Sequence, residues 1–369
     1  MNNNLVNYKN RNANIELIRV VGCMLVIARH VFTAINFEAP GILKGLIYTF
    51  TINGVALFWL IMGFYLFNEN YSFVKKIRAT IVKIIVPSLI LTFVSIYIFP
   101  WILGEMNFTE SIFRNVGWRQ ILYFLFVSSD EIKIVDHLWY IRSYVEVIFW
   151  SPLLWYICKE GKKEGAVRRY LIVFEFASIL FENIQYLLNQ ENIISTIIEI
   201  NTPINDVILY VLLGYELSLW IKNEKNKVFS QYKAFIGYLF FVLGVAGLEF
   251  ICKIRNLQRE YYNHSGVSLF VVATVFLFIF LYRIKLNEKI RPLICFLGDK
   301  TFYMYLIHYC IARRLTSSEI NRIDFGEKYG IFKFLICALG TFILTLVIVM
   351  VIKKIENIFS HWMRKDIKH

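Results

Sequence analysis

Charge is scarce in this sequence: 18% of its 369 residues are Asp, Glu, Lys or Arg, against 57% hydrophobic residues. That proportion excludes a single water-soluble core, because the apolar surface left over has to be covered by lipid. Metal and redox signatures are missing as well. No CxxC or HExxH occurs, and Cys23, Cys158, Cys252, Cys295, Cys310 and Cys337 all lie in or beside apolar segments, without a His or Cys at ligand spacing. They read as buried free thiols, and no metal is expected. A polar, Asn-rich start runs directly into a long apolar stretch, so no cleavable leader is expected. Linkers, composition shifts and internal repeats are absent too, which points to one integral membrane domain over 1–369, with a short cytoplasmic arm (1–14) and tail (354–369). The net charge of +13 is spread in short clusters between apolar runs. That is a pattern of membrane topology and not of nucleic-acid binding.

What is present is a series of apolar runs long enough to cross about 30 Å of hydrocarbon at about 1.5 Å per residue. They fall near 15–36, 46–67, 80–103, 137–157, 168–189, 204–221, 233–252, 266–284, 293–313 and 330–353. The fold class expected is all-α, a polytopic helical bundle of about ten transmembrane helices. The stretch 119–127 (RQILYFLFV) is too short to span and reads as an interfacial or re-entrant piece of an outer loop. With both termini inside, Lys and Arg are about twice as numerous in the inner segments as in the outer ones. The positive-inside rule therefore favours N-in, C-in.

Ionisable groups inside spans are costly and so mark functional candidates. The first span, NIELIRVVGCMLVIARHV, is the richest. Arg19 and His30 are eleven residues apart, about three helical turns plus roughly 20°, which puts them on one face about 16 Å apart along the axis. Glu16 lies one turn before Arg19 and could pair with it, while Arg29 is expected to snorkel outward. In GDKTFYMYLIHYC, Thr301, Tyr305 and His308 share a helical face, and His137 opens the fourth span. Topology puts His30, His137, His264 and His308 toward one side. Histidine suits removal of a hydroxyl proton, because its unperturbed pKa is near neutrality. On the inner side, KKIRATIVK brings Lys75, Lys76, Arg78 and Lys83 to the start of the third span. They read either as topology or as a docking surface for the phosphates of a cytosolic donor. Arg142 and Glu146 are spaced i, i+4 and could form a structural pair.

In this order the landmarks resemble the membrane acyltransferase family 3, the polytopic O-acyltransferases of bacterial surface glycans. The first helix has the ELIR…H pattern with Arg19 and His30. ALFWLIMGFYLF resembles the family's apolar stretch ending at Gly63, Phe64 and Leu66. HLWYIRSYVEVIFWSPLL is similar to its His-Leu-Trp start with a later proline, here His137, Leu138, Trp139 and Pro152, and YMYLIHY resembles its Tyr-Leu-Ile-His signature at Tyr305 to His308. Two features depart. The family's Arg-x-x-Arg before the third span has Lys75, Arg78 and Lys83 in altered register. The carboxylate pair that some relatives carry after His-Leu-Trp is replaced by Ser143, Tyr144 and Val145 before a single Glu146. The second departure places the chain nearer the branch acting on surface polysaccharides.

The resemblance implies an acyl-CoA donor, usually acetyl-CoA, bound from the cytoplasm without a permanently bound cofactor. The implied acceptor is a hydroxyl of a cell-envelope glycan or lipid-linked sugar, reached from the bacterial cytoplasmic membrane. By position match it makes His30 the catalytic base, with Arg19 organising the site or contacting the donor. Lys75, Lys76, Arg78 and Lys83 are the candidate donor-binding residues, and His137, Trp139, Tyr305 and His308 the candidate acceptor-binding ones. The rival expectation is a transporter or flippase of a glycolipid or small envelope precursor, in which the same residues bind substrate and no bond is made. Inverted repeats would favour it, and none is seen.

Overall fold

The structure, a computed structural model, describes residues 11–35, 41–67, 71–94, 136–160, 165–190, 205–222, 230–254, 267–317 and 326–366, and these are helical with short connecting turns. The first apolar run forms α1 (Ala13–Ala34), and the second is divided into α2 (Gly41–Thr51) and α3 (Gly54–Leu66). The third is built from α4 (Phe73–Thr80), a π-helical turn (Ile81–Ile85) and α5 (Val86–Phe93). A 3₁₀ turn (Asp136–Leu138) leads into α6 (Trp139–Glu160). Then come α7 (Ala166–Gln190), α8 (Asp206–Lys222), α9 (Gln231–Ile254), α10 (Ser268–Tyr282), α11 (Arg291–Gly298), α12 (Thr301–Ser317) and α13 (Gly326–Asp366). Among the described residues, five helical stretches are long and apolar enough to cross a membrane: Ala13–Ala34, Leu43–Leu66, Ala166–Leu188, Gln231–Leu248 and Tyr329–Glu356. The segment 119–127 and His264 lie outside the described residues.

Local chemistry accounts for the helix ends and irregularities. The Asn12 side chain caps α1 by accepting from the Asn14 and Ile15 amides, which satisfies donors that no helical carbonyl reaches. Pro87 lacks an N–H and its ring crowds the carbonyl four residues earlier. The chain widens into the π turn just before it, and the Val86 amide reaches back to the Ile81 carbonyl. Pro152 likewise orphans the Ile148 carbonyl inside α6, and the neighbouring Ser151 hydroxyl donates to that oxygen at 2.5 Å. Asn183 of α7 accepts from both the amide and the hydroxyl of Ser268 at the start of α10, at 2.9 and 3.0 Å.

Small residues set the closest crossings. A methyl group on Gly63 would run into the Val211 backbone, and one on Gly214 into the Leu60 backbone, so α3 and α8 touch main chain to main chain. Such contact is how helices associate where lipid removes the hydrophobic drive between them. Trp59, Leu57, Leu60, Tyr210 and Phe278 fill the centre, each under 2% exposed. The outer faces are apolar instead of polar: Val173 and Phe181 on α7, Ile236 and Phe240 on α9, and Phe332, Leu339 and Ile343 on α13 are all exposed. A bundle wet on the outside would reverse this arrangement.

The directions of the helices fix two ends. Cys23 meets the Thr301 carbonyl and His30 meets His308, so α1 and α12 run side by side in one direction. The α4–α5 run follows them, with Lys76 level with Arg19 and Leu91 in the cluster around Val31 and Leu138. In α6 the order is opposite, His137 lying by His30 and Tyr144 by Arg19. Both α10 and α13 also oppose α1, with Leu281 at Asn14 and Phe334 at Phe32. One end of the bundle is thus marked by Arg19 and the other by His30.

Candidate active site

At the Arg19 end a cavity of about 320 Å³ opens between α1, α3, α4, α6, α11 and α12, within the size range of small-molecule sites. Three cations line it: Arg11, Arg19 and Lys76. Glu16, buried beneath them, sits 3.5 Å from Arg19 and 3.7 Å from Arg11. Arg11 is also bound to Asp299 at 2.7 Å, and Asp299 to Lys300 at 2.5 Å. The acids hold the arginines in place while their guanidinium groups border the cavity. Of the basic cluster at the start of the third span, Lys76 is half-buried and lines this space, whereas Lys75, Arg78 and Lys83 are exposed. Burial pulls the Lys76 amine below the usual lysine range. The cavity is walled farther in by Phe58, Tyr140, Tyr144, Thr301 and Tyr305.

Tyr305 joins this cavity to the other end. Its ring borders the cavity, its hydroxyl donates to the His137 carbonyl, and its ring centroid lies 5.8 Å from that of His137 and 5.7 Å from that of His308. Beyond it three imidazoles from three helical segments meet. His30 is 5.1 Å from His308 and 6.2 Å from His137, and His137 is 5.2 Å from His308, between ring centroids. His308 and His137 are 0% and 3% exposed, while His30 is half-buried. A tyrosine closes the group, Tyr309 stacking on His137 at 4.9 Å and meeting His30 edge-on at 5.0 Å.

The tautomers follow from backbone partners. A carbonyl only accepts, so His308 Nδ1, 2.7 Å from the Tyr305 carbonyl, carries a proton, and His137 Nε2 carries one toward the Leu306 carbonyl at 3.3 Å. Each neutral ring then holds its lone pair on the other nitrogen, and His137 Nδ1 and His308 Nε2 have no partner among the described residues. Among those residues no group of three ligating side chains has metal-binding geometry.

Other expectations fare differently. Trp139 packs half-buried against the central apolar cluster and is not part of the cavity wall. Arg29 does not snorkel outward: its guanidinium lies 3.7 Å above the Tyr48 ring, with one nitrogen fully buried, because the aromatic face offers a cation a better partner than lipid. Glu146 accepts from Asn205, which precedes α8, at 3.4 Å. The residues that pattern reading passed over are Arg11, Tyr140, Tyr144 and Tyr309. Tyr309 follows His308 in YLIHY and could have been suspected from that adjacency, but the others carry no local signal.

The sequence model of the acyltransferase-domain family matches residues 12–354 of this chain. No curated protein and no solved structure matches it. The matched stretch begins at the cap of α1, includes every residue of the cavity except Arg11 and all of the histidine cluster, and ends within α13. The chain belongs to the membrane acyltransferase family 3 and is a multi-pass membrane acyltransferase.

Proposed function

We propose that this protein is a ten-span O-acyltransferase of the bacterial cytoplasmic membrane, with both termini inside. It moves an acyl group, acetyl in the expected case, from cytosolic acyl-CoA to a hydroxyl of a cell-surface polysaccharide or lipid-linked glycan. One observation carries this reading: the cation-lined cavity at the Arg19 end is closed on its inner side by Tyr305, whose hydroxyl and ring contact His137 and His308 of the histidine cluster at the His30 end. Donor phosphates belong with Arg11, Arg19 and Lys76, and the pantetheine arm crosses the roughly 16 Å between Arg19 and His30. His30 takes the acceptor proton as the hydroxyl oxygen attacks the thioester carbonyl. The C–S bond then breaks and the proton passes to the departing thiolate, a general-base step that contributes about 10²- to 10⁴-fold. The opposed directions of α6 and the α4–α5 run support the reading in which 119–127 does not cross.

The test uses purified protein in lipid vesicles with radiolabelled acetyl-CoA and an envelope glycan fraction. Transfer of label by the wild type and its loss in His30→Ala are expected. Undiminished transfer by the variant would remove His30 from the mechanism. If no acyl-CoA is bound or consumed while the vesicles pass substrate across, the transporter reading replaces this one.

A further inference from the structure

We infer that the histidine cluster reads neighbouring hydroxyls: it accepts a sugar ring that presents one hydroxyl to His30 and one each to the lone pairs of His137 and His308. This rests on the reading of His30 as the base and adds the chemistry of the acceptor.

Hydrogen-bond polarity carries the inference. Both N–H groups of His137 and His308 point at backbone carbonyls, and the nitrogens left over accept only. Both are buried and unpartnered among the described residues, a state that costs free energy unless a ligand completes it. Among the described residues no carboxylate joins the cluster, and nitrogens that only accept call for a ligand that brings donors. A carbonyl, ether or carboxylate offers the wrong polarity, whereas each hydroxyl of a polyol offers an O–H. Tyr309, half-buried with its ring beside both His30 and His137, closes the cluster on one side. A metal ion also seeks lone pairs, but the described residues offer it no three-ligand geometry.

The experiment measures transfer from radiolabelled acetyl-CoA by the full chain in vesicles, with two glycan acceptors. One is the untreated envelope fraction. The other is that fraction oxidised with periodate and reduced with borohydride, which separates neighbouring hydroxyls but leaves hydroxyls present. The variants are His308→Leu and His137→Leu, together with His308→Gln and His137→Asn, whose amide oxygens replace the missing acceptor nitrogen. We expect each leucine variant to raise the half-saturating glycan concentration about 10-fold, with the KM for acetyl-CoA unchanged as the sign of an intact fold. The amide variants recover most of the loss, and the treated glycan is a poor acceptor for the wild type.

Equal use of the two glycans would overturn the inference, as would leucine and amide variants that behave alike. Loss of wild-type transfer on adding a chelator would reassign the lone pairs to a metal. A wild type that consumes no acetyl-CoA defeats the acyl-transfer reading instead. Binding of the tritiated glycan fraction to the same vesicles, wild type against His308→Leu, then tests the hydroxyl reading by itself.

Discussion

The two ends of α1 solve opposite problems. At the Arg19 end the charges are numerous, partly exposed and mutually paired: Arg11, Glu16, Arg19, Asp299 and Lys300 form one network at the cavity mouth. At the His30 end two rings of the cluster are buried, and among the described residues no acid joins it and the other nitrogens of those rings lack partners. Paired cations that still border an open cavity suit an anionic ligand that arrives from water and leaves again. Unpaired lone pairs behind a half-covered ring suit proton transfer to and from a neutral hydroxyl. The difference shows how one helix can serve donor and acceptor, with the ionic work kept where water can share its cost.

The comparison breaks most sharply at His30. His30→Ala should lower kcat about 10²- to 10⁴-fold while equilibrium binding of acetyl-CoA stays as in the wild type; a matching loss of binding would mean that the two ends are not separate. Arg19→Gln should do the converse, raising the KM for acetyl-CoA about 10-fold or more, as expected for a lost charge-assisted contact. Acetyl-pantetheine, which lacks the nucleotide phosphates, should be used equally by variant and wild type. Gly63→Val should act on both ends at once, since it forces apart α3 and α8. Overpacking of about 1 to 3 kcal/mol should appear as a lower unfolding temperature in detergent, whatever ligand is present. The smallest effect concerns pH. Burial lowers the Lys76 pKa, so its charge is lost as pH rises, before that of an ordinary lysine. Donor KM should therefore climb at alkaline pH in the wild type and stay flat in Lys76→Arg, while Lys75→Gln and Arg78→Gln leave the profile unchanged.

Much of the site was legible along the chain wherever the relevant relation was local. The shared face of Arg19 and His30 is a consequence of helical period, and the Glu16–Arg19 pair one of spacing. The third-span basic cluster shows where local reading stops. Lys75, Lys76, Arg78 and Lys83 are equivalent in KKIRATIVK, yet the packing of α4 and the π turn ahead of Pro87 bring Lys76 alone among them to the cavity. Arg11 reaches the same cavity because Asp299, far along the chain, holds it there. Arg29 escapes local reading for the same reason: its partner, Tyr48, is on another helix.

By itself the sequence determined that this protein lives in a bilayer and that its first helix carries a cation and an imidazole on one stripe, because hydrophobic length and helical repeat are properties of contiguous residues. The tertiary structure alone decided that His137 and His308 join His30, that Tyr305 links them to the cationic cavity, and which ring nitrogens keep their lone pairs. Those depend on which helices touch and in which direction they run, and close contacts such as Gly63 on Val211, between residues far apart in the chain, set that.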